Sequence, residues 1–250
     1  MTTLRILLLL LAAGLSWSGA LHAADAAGKI IFASGEASAR GGDGQDRELK
    51  RGAPVYSGDT LITGEGRIQV RFSDGGFVSV QPNSRFAIDA YRFGADAADD
   101  KSSFKLLKGG LRAVTGTIGV RSKETYSVDT PVATIGVRGT AYSALYCEGD
   151  CPPADGTAPA DGLYVGTGEG TIIVANAFGT LDVTAGQSAY VPALNLPPQP
   201  LDTPPLLVQA GGGDGGVLNE SQLLMGDQVD EGGGPVWQES GGQMIDIVGG

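Results

Sequence analysis

In RIQVRF, residues 67–72, Ile68, Val70 and Phe72 alternate with Arg67, Gln69 and Arg71. An alternation of period two places the apolar set on one face of an extended strand and the polar set on the other, which no helix can do. SDGG (73–76) follows as a turn whose glycines accept positive φ, and FVSV (77–80) resumes the strand. PNS (82–84) then breaks the chain before RFAIDAY (85–91). The pattern continues through SFKLL (103–107), LRAVTG (111–116), YSV (126–128), TIGV (134–137) and AYSALY (141–146). A later group reads GLYVG (162–166), TIIVA (171–175), TLDVT (180–184) and SAYVP (188–192). Turn signals recur about every eight to twelve residues and no long helical face competes, so the expected fold class is all-β.

The ends differ from this middle. Arg5 precedes an apolar run from Ile6 to Leu15, and small residues follow around Ala20–Ala26. That is the layout of a cleavable signal peptide, residues 1–24, giving a mature chain that starts near Asp25. The run rises only about 15 Å, half of a hydrocarbon core of roughly 30 Å, so stable membrane insertion after cleavage is not expected. Export makes the location periplasmic, secreted or cell-surface. From 193 onward, prolines and then glycine-rich acidic sequence imply an extended linker and a disordered tail, 193–250, with room for a short helix at 218–225. The folded unit is read as 28–192.

Cleavage would remove His22, the only histidine. A mature chain without it cannot assemble a Ser-His-Asp or Cys-His site, nor a histidine zinc site. Cys147 and Cys151 are the only cysteines, and in an oxidising compartment two so close are expected to form a local disulfide. Weighed against this, a metal pair completed by Glu148 and Asp150 is the lesser reading. A redox site lacks the C-x-x-C spacing. SDGG and SGD do not form a calcium loop, and GEGR and GVRGT lack the lysine of a phosphate loop. No cofactor and no metal are expected.

The net charge of −11 is unevenly spread. All 17 Lys and Arg lie at or before Arg138, so residues 1–138 carry +3 and 139–250 carry −14. No basic cluster of the kind that neutralises phosphates stands out, and a nucleic-acid partner is not expected. There is also an internal echo: ASGEASAR…LKRGAPVY (33–56) and GTGEGTII…VTAGQSAYV (166–191) align Gly52 with Gly186 and Tyr56 with Tyr190, both 134 residues apart. The echo suggests similar β-coils at the two ends of one stacked domain, with a β-sandwich as the alternative.

Taken in order, ASGEA, VYSGDTLITGEGRIQVRFSDGGFVSVQPNSRFAI, FKLLKGGLRAVTG and YSVDTPVATIGVRGTAY resemble the FecR domain over residues 29–145. The resemblance implies a non-enzymatic all-β module, expected as a solenoid or β-roll-like stack of short strands. Prototype members relay a signal from an outer-membrane transporter to a sigma factor. With a cleavable signal peptide read at its start, this chain is expected to depart from them in having no cytoplasmic segment and no retained transmembrane helix. The expected function is therefore an exported interaction module binding a protein or glycan of the envelope in sensing, assembly or scaffolding. A transporter relay is the first alternative, and a carboxylate-pair hydrolase the second.

TPVATIGVRGT (130–140) carries the most specific part of the resemblance. Pro131 is expected to set an extended entry, while Gly136 and Gly139 allow a bulge or close backbone approach. Arg138, opposite Ile135 and Val137, is read as a strut tying down Asp59 or Asp74, with Thr140 closing the element. An anion contact is the rival role for Arg138. Asp59, Asp74 and Asp89 are expected in turns and at edges rather than as a catalytic pair.

Overall fold

The computed structural model describes residues 25–151, 153 and 158–205. Strands dominate, in chain order β1 (Gly28–Ala33), β2 (Ala37–Arg40), β3 (Asp46–Glu48), β4 (Pro54–Val55), β5 (Thr60–Thr63), β6 (Ile68–Phe72), β7 (Phe77–Val80), β8 (Arg85–Arg92) and β9 (Lys101–Val114). A five-residue helix α1 (Thr117–Arg121) precedes β10 (Tyr126–Asp129), β11 (Thr134–Val137), β12 (Ala141–Cys147), β13 (Gly162–Glu169), β14 (Thr171–Asn176), β15 (Gly179–Thr184), β16 (Ser188–Val191) and β17 (Gln199–Pro200). The all-β expectation holds.

Pairing arranges these strands as two open sheets joined through β9. Sheet A runs β4-β1-β6-β7-β9-β12-β13-β16-β17. Sheet B runs β3-β2-β5-β8-β9-β10-β11-β14-β15. Beyond the first strand of each, β4 and β3, both orders advance with the sequence to the other end of the domain. The pairs are antiparallel except β9 with β10, which is parallel. That one parallel pair needs a crossover. The crossover is supplied by α1 and the 3₁₀ turn Lys123–Thr125.

Residues 103–107 and 111–116, which read as two strands, belong to the single 14-residue β9. Its first half pairs with β8 and β10 in sheet B, and its second half with β7 and β12 in sheet A. Gly109 (φ +74°) makes the change of sheet without a reversal of direction. One core lies between the sheets, drawing Ile68, Val70 and Leu111 from A, and Leu61, Phe86 and Ile135 from B. Phe104 ties the layers, with Phe72 at 5.1 Å and Phe86 at 5.3 Å between ring centroids.

The echo between the chain's two ends is a repeated corner. Ala53 N–H bonds Lys50 O and Gln187 N–H bonds Thr184 O, both at 2.9 Å, with Gly52 (φ +88°) and Gly186 (φ +81°) at the equivalent place. Each glycine then donates to an earlier strand, Gly52 to Ile30 O (2.7 Å) and Gly186 to Thr167 O (2.8 Å). Strand pairing also continues past residue 192: β17 lies on β16, and Leu201 N–H donates to Ser188 O. The proline-rich run at 192–205 thus begins inside the packed unit, because a two-residue edge strand tolerates Pro200. The tail reading for 206–250, including the helix at 218–225, and the signal peptide at 1–24 lie outside the described residues.

Across the core, Tyr126 of β10 and Tyr142 of β12 share a hydroxyl–hydroxyl hydrogen bond of 2.9 Å. Burial pushes both phenols above their ordinary values and keeps them neutral. Tyr142→Phe is expected to leave the Tyr126 hydroxyl unpaired and to destabilise by about 1–3 kcal/mol. The double change to Phe should recover most of that loss in a denaturant melt, since two matched apolar rings leave nothing unsatisfied.

Candidate functional site

The nine residues singled out in the sequence do not converge on one place. Asp59 is buried at 2% exposure, where its carboxylate pairs with Arg47 and accepts the Tyr56 N–H at 2.6 Å. Arg47 also lies over the Tyr56 ring, 5.2 Å from its centroid. Asp74 is buried in the β6–β7 turn, where its carboxylate accepts Gly76 N–H at 2.9 Å and Ile118 N–H at 3.2 Å. Its own N–H reaches Tyr91 Oη at 2.9 Å, and its carbonyl accepts the Thr117 N–H at 3.0 Å. Asp74 thus locks the turn to the start of α1. Asp89, at the edge of sheet B, pairs with Lys105 at 2.6 Å.

Arg138 is the main correction. It is exposed, and its backbone N–H donates to Thr171 O at 3.0 Å. Asp59 and Asp74 are held by Arg47 and by backbone N–H groups, so Arg138 is not their strut. Continuing the alternation of Ile135 and Val137 puts its side chain in solvent, where a guanidinium needs no partner. Arg138→Ala should therefore change stability by no more than about 0.5 kcal/mol in a thermal melt. Gly139 takes φ +62°, but Gly136 has ordinary φ and room for a Cβ, with Ile173 atoms no nearer than 4.0 Å. The close approach belongs to Gly170, where an added Cβ would sit 2.9 Å from Thr140 Cγ2.

Pro131 is exposed in the tight β10–β11 turn, which Thr130 closes through bonds with Ala133. Thr140 is buried, and its N–H donates to Thr115 Oγ1 at 2.9 Å. Cys147 and Cys151 form a disulfide. It belongs to a small apolar cluster with Leu145 and Tyr164 on the outward side of sheet A. Tyr164 stacks on Tyr190, with centroids 4.6 Å apart.

The α1 crossover has its own clasp. Asp100 receives Arg121 Nε at 2.7 Å and Nη2 at 3.0 Å, and Ser122 Oγ at 3.1 Å. The Arg121 guanidinium holds the Asp100 carboxyl below the usual carboxylate range. A depressed folded value stabilises the protein above the unfolded carboxyl's pKa of about 3.9 and loses that contribution as pH falls through the folded value. Melting followed from pH 6 to pH 2 should show an acid-limb decline that is shallower in Asp100→Asn.

These corners bound the outward side of sheet A, whose central side chains Gln69, Phe77 and Ser79 are themselves buried. The outward positions of sheet A are set by register: Phe32, Gln69, Ser79, Arg112, Ser143, Gly166 and Ser188 form one cross-strand row. A second row runs through Pro54, Lys29, Arg71, Phe77, Val114, Ala141 and Glu169. The α1 crossover bounds one side, where Thr115 N–H meets Thr140 O and Gly139 N–H meets Gly119 O. The disulfide cluster bounds the other. The outward positions of β1, β6, β7 and β9 carry Lys29, Arg71 and Arg112 and no carboxylate. Arg67 extends this set, its guanidinium 5.5 Å from the Phe32 ring centroid. In the sequence Arg67 and Arg71 share one segment, whereas Lys29 and Arg112 are distant from it and only strand register brings them alongside.

Residues 59–151 match the family model described as FecR protein. Two structures of a candidate anti-sigma factor from Parabacteroides distasonis align at 13% and 14% identity, with TM-scores of 0.42 and 0.41. Each alignment covers 56% of this chain and 57% of the other, so this chain spans a little over half of those proteins. A cell surface anchoring domain aligns at 31% identity over 29% of this chain and 99% of its own length, with a TM-score of 0.26. No curated protein matches.

Proposed function

We infer from its FecR segment that this FecR-family chain is an exported, non-catalytic interaction module of the bacterial envelope, holding a protein or glycan partner on the outward face of sheet A. The observation that carries the reading is the division of labour among its charged groups. Asp59, Asp74 and Asp89, the acids weighed in the sequence as a catalytic pair, are each engaged by a cation or by backbone donors. The bases Lys29, Arg71 and Arg112, in contrast, share the outward side of sheet A, Lys29 exposed and Arg71 and Arg112 half-buried.

Export through a signal peptide at 1–24 and delivery to the periplasm or cell surface complete the reading. Among the described residues no helix is long and apolar enough to cross a membrane. The advance of both sheets in chain order, with the same corner at each end, supports a roll-like stack. A relay between an outer-membrane transporter and a sigma factor is the second reading, favoured by the FecR match itself.

Photo-crosslinking in intact cells tests the proposal. A crosslinker at Ser143 on the outward face of sheet A should capture a defined partner, whereas one at Lys105 on sheet B should not. Capture from sheet B alone would overturn the choice of face. Steady hydrolysis of a peptide or glycan by the purified protein, lost in Asp89→Asn, would overturn the non-catalytic reading.

A further inference from the structure

We propose that the outer edge of β15 pairs with β15 of a second copy of this chain, joining two domains through one continuous sheet B. Sheets A and B end in four edge strands, and three of them are blunted. β4 and β17 are two residues long and each contains a proline, Pro54 or Pro200. β3 is three residues long, and all three are charged. Short, charged or proline-bearing edges discourage pairing with another chain. β15 (GTLDVT) has six residues with neither proline nor lysine, and among the described residues it pairs with β14 alone.

Hydrogen-bond parity fixes which groups of β15 face outward. Thr184 gives its N–H to Gln187 Oε1 at 3.0 Å and accepts the Gln187 N–H at 2.9 Å, so its backbone points away from β14. Alternate residues of an antiparallel strand point the same way, which turns the N–H and C=O of Asp182 and Thr180 outward as well. Both residues are exposed, and no described residue bonds these outward backbone groups. Leu181 is half-buried and Val183 buried. With Leu201 and Pro204 they line a groove of about 490 Å³ alongside the edge.

The edge is self-complementary. A two-fold axis beside Leu181 sets Thr180 opposite Asp182 of the second copy, and Asp182 opposite its Thr180. The outward groups then meet in two hydrogen-bonded pairs, each exchanging both N–H···O bonds. Leu181 meets its own counterpart on the groove side. An axis centred on Asp182 would oppose two carboxylates and would call on Thr184, which Gln187 already holds. An axis centred on Thr180 would leave Asp182 facing the hairpin turn at Phe178. A foreign strand would have to bring two outward polar residues around one apolar residue, and Thr180-Leu181-Asp182 is that triplet. In this register the two Asp182 side chains are diagonal neighbours about 7–8 Å apart, a repulsion that salt screens.

Sedimentation of the purified exported chain from micromolar to millimolar concentration should show a monomer–dimer equilibrium that tightens with added salt. Asp182→Pro removes only an outward donor. It should melt near wild type and dimerise about tenfold or more weakly. Charge tests the register: Thr180→Lys sets an ammonium opposite Asp182 of the second copy and should tighten the dimer, whereas Thr180→Asp should weaken it. In amide exchange, Leu181 and Val183 should be protected at every concentration, and Thr180 and Asp182 only where the dimer forms. A monomer throughout the range, or a dimer indifferent to all three variants, would overturn the pairing. So would protection of the Thr180 and Asp182 amides in the monomer, which would give this edge to the chain's own tail.

Discussion

Asp74→Ala is expected to destabilise the domain by about 2–4 kcal/mol, since it strips the partner from two backbone donors, Gly76 N–H and Ile118 N–H. Each buried donor left unmatched costs about 1–3 kcal/mol. Gly116, at the start of α1, packs so closely that an added Cβ would lie within 2.6 Å of the Asp74 carboxylate carbon. For a domain of this size the loss corresponds to a fall in Tm of roughly 5–15 °C. Asp74→Asn is the informative companion, because its amide oxygen can still accept one bond. It should fall between wild type and Ala. A melt unchanged in Asp74→Ala would show that the turn and α1 hold together without this carboxylate.

The second large effect belongs to Gly109, where β9 passes from sheet B to sheet A. Its φ of +74° is a left-handed conformation that costs an L-residue about 1–2 kcal/mol. An added Cβ would also stand 2.8 Å from Ser84 Cα and 2.9 Å from Asn83 O, backbone atoms that cannot swing aside. Ser84 itself is committed: its hydroxyl accepts Gly110 N–H at 2.9 Å. Strain and overpacking together place Gly109→Ala at roughly 2–5 kcal/mol. Gly75→Ala is the control. Gly75 has φ +85° but open space around its Cβ position, so only the conformational part applies. Equal melting of the two variants would remove the packing contribution claimed for Gly109.

Strand identity was legible wherever period-two alternation met a clear turn, as at β6, the SDGG turn and β7. The same logic misplaced the break at residues 108–110, because a Gly-Gly pair between apolar runs looks like a hairpin. Here the chain continues in one direction, and the glycine serves a change of sheet. The partner of Asp59 was not legible either. Arg47 reaches it through the register of β3, β2 and β5, which depends on pairings that no local pattern specifies. Arg138 shows the opposite case. Its alternation with Ile135 and Val137 already pointed outward, and the expectation of a buried strut set that signal aside. The candidate face of sheet A was hidden for a further reason: Lys29, Arg71 and Arg112 come from three distant segments and share a surface only after the sheet has formed.

Because β9 belongs to both sheets, they are continuous through the covalent backbone at Lys108–Gly110. Tension applied to one layer is delivered to the other along peptide bonds, not only across side-chain contacts that could slide or peel. A partner tugging on sheet A would therefore load sheet B at once, and the layers would yield together as a single mechanical element.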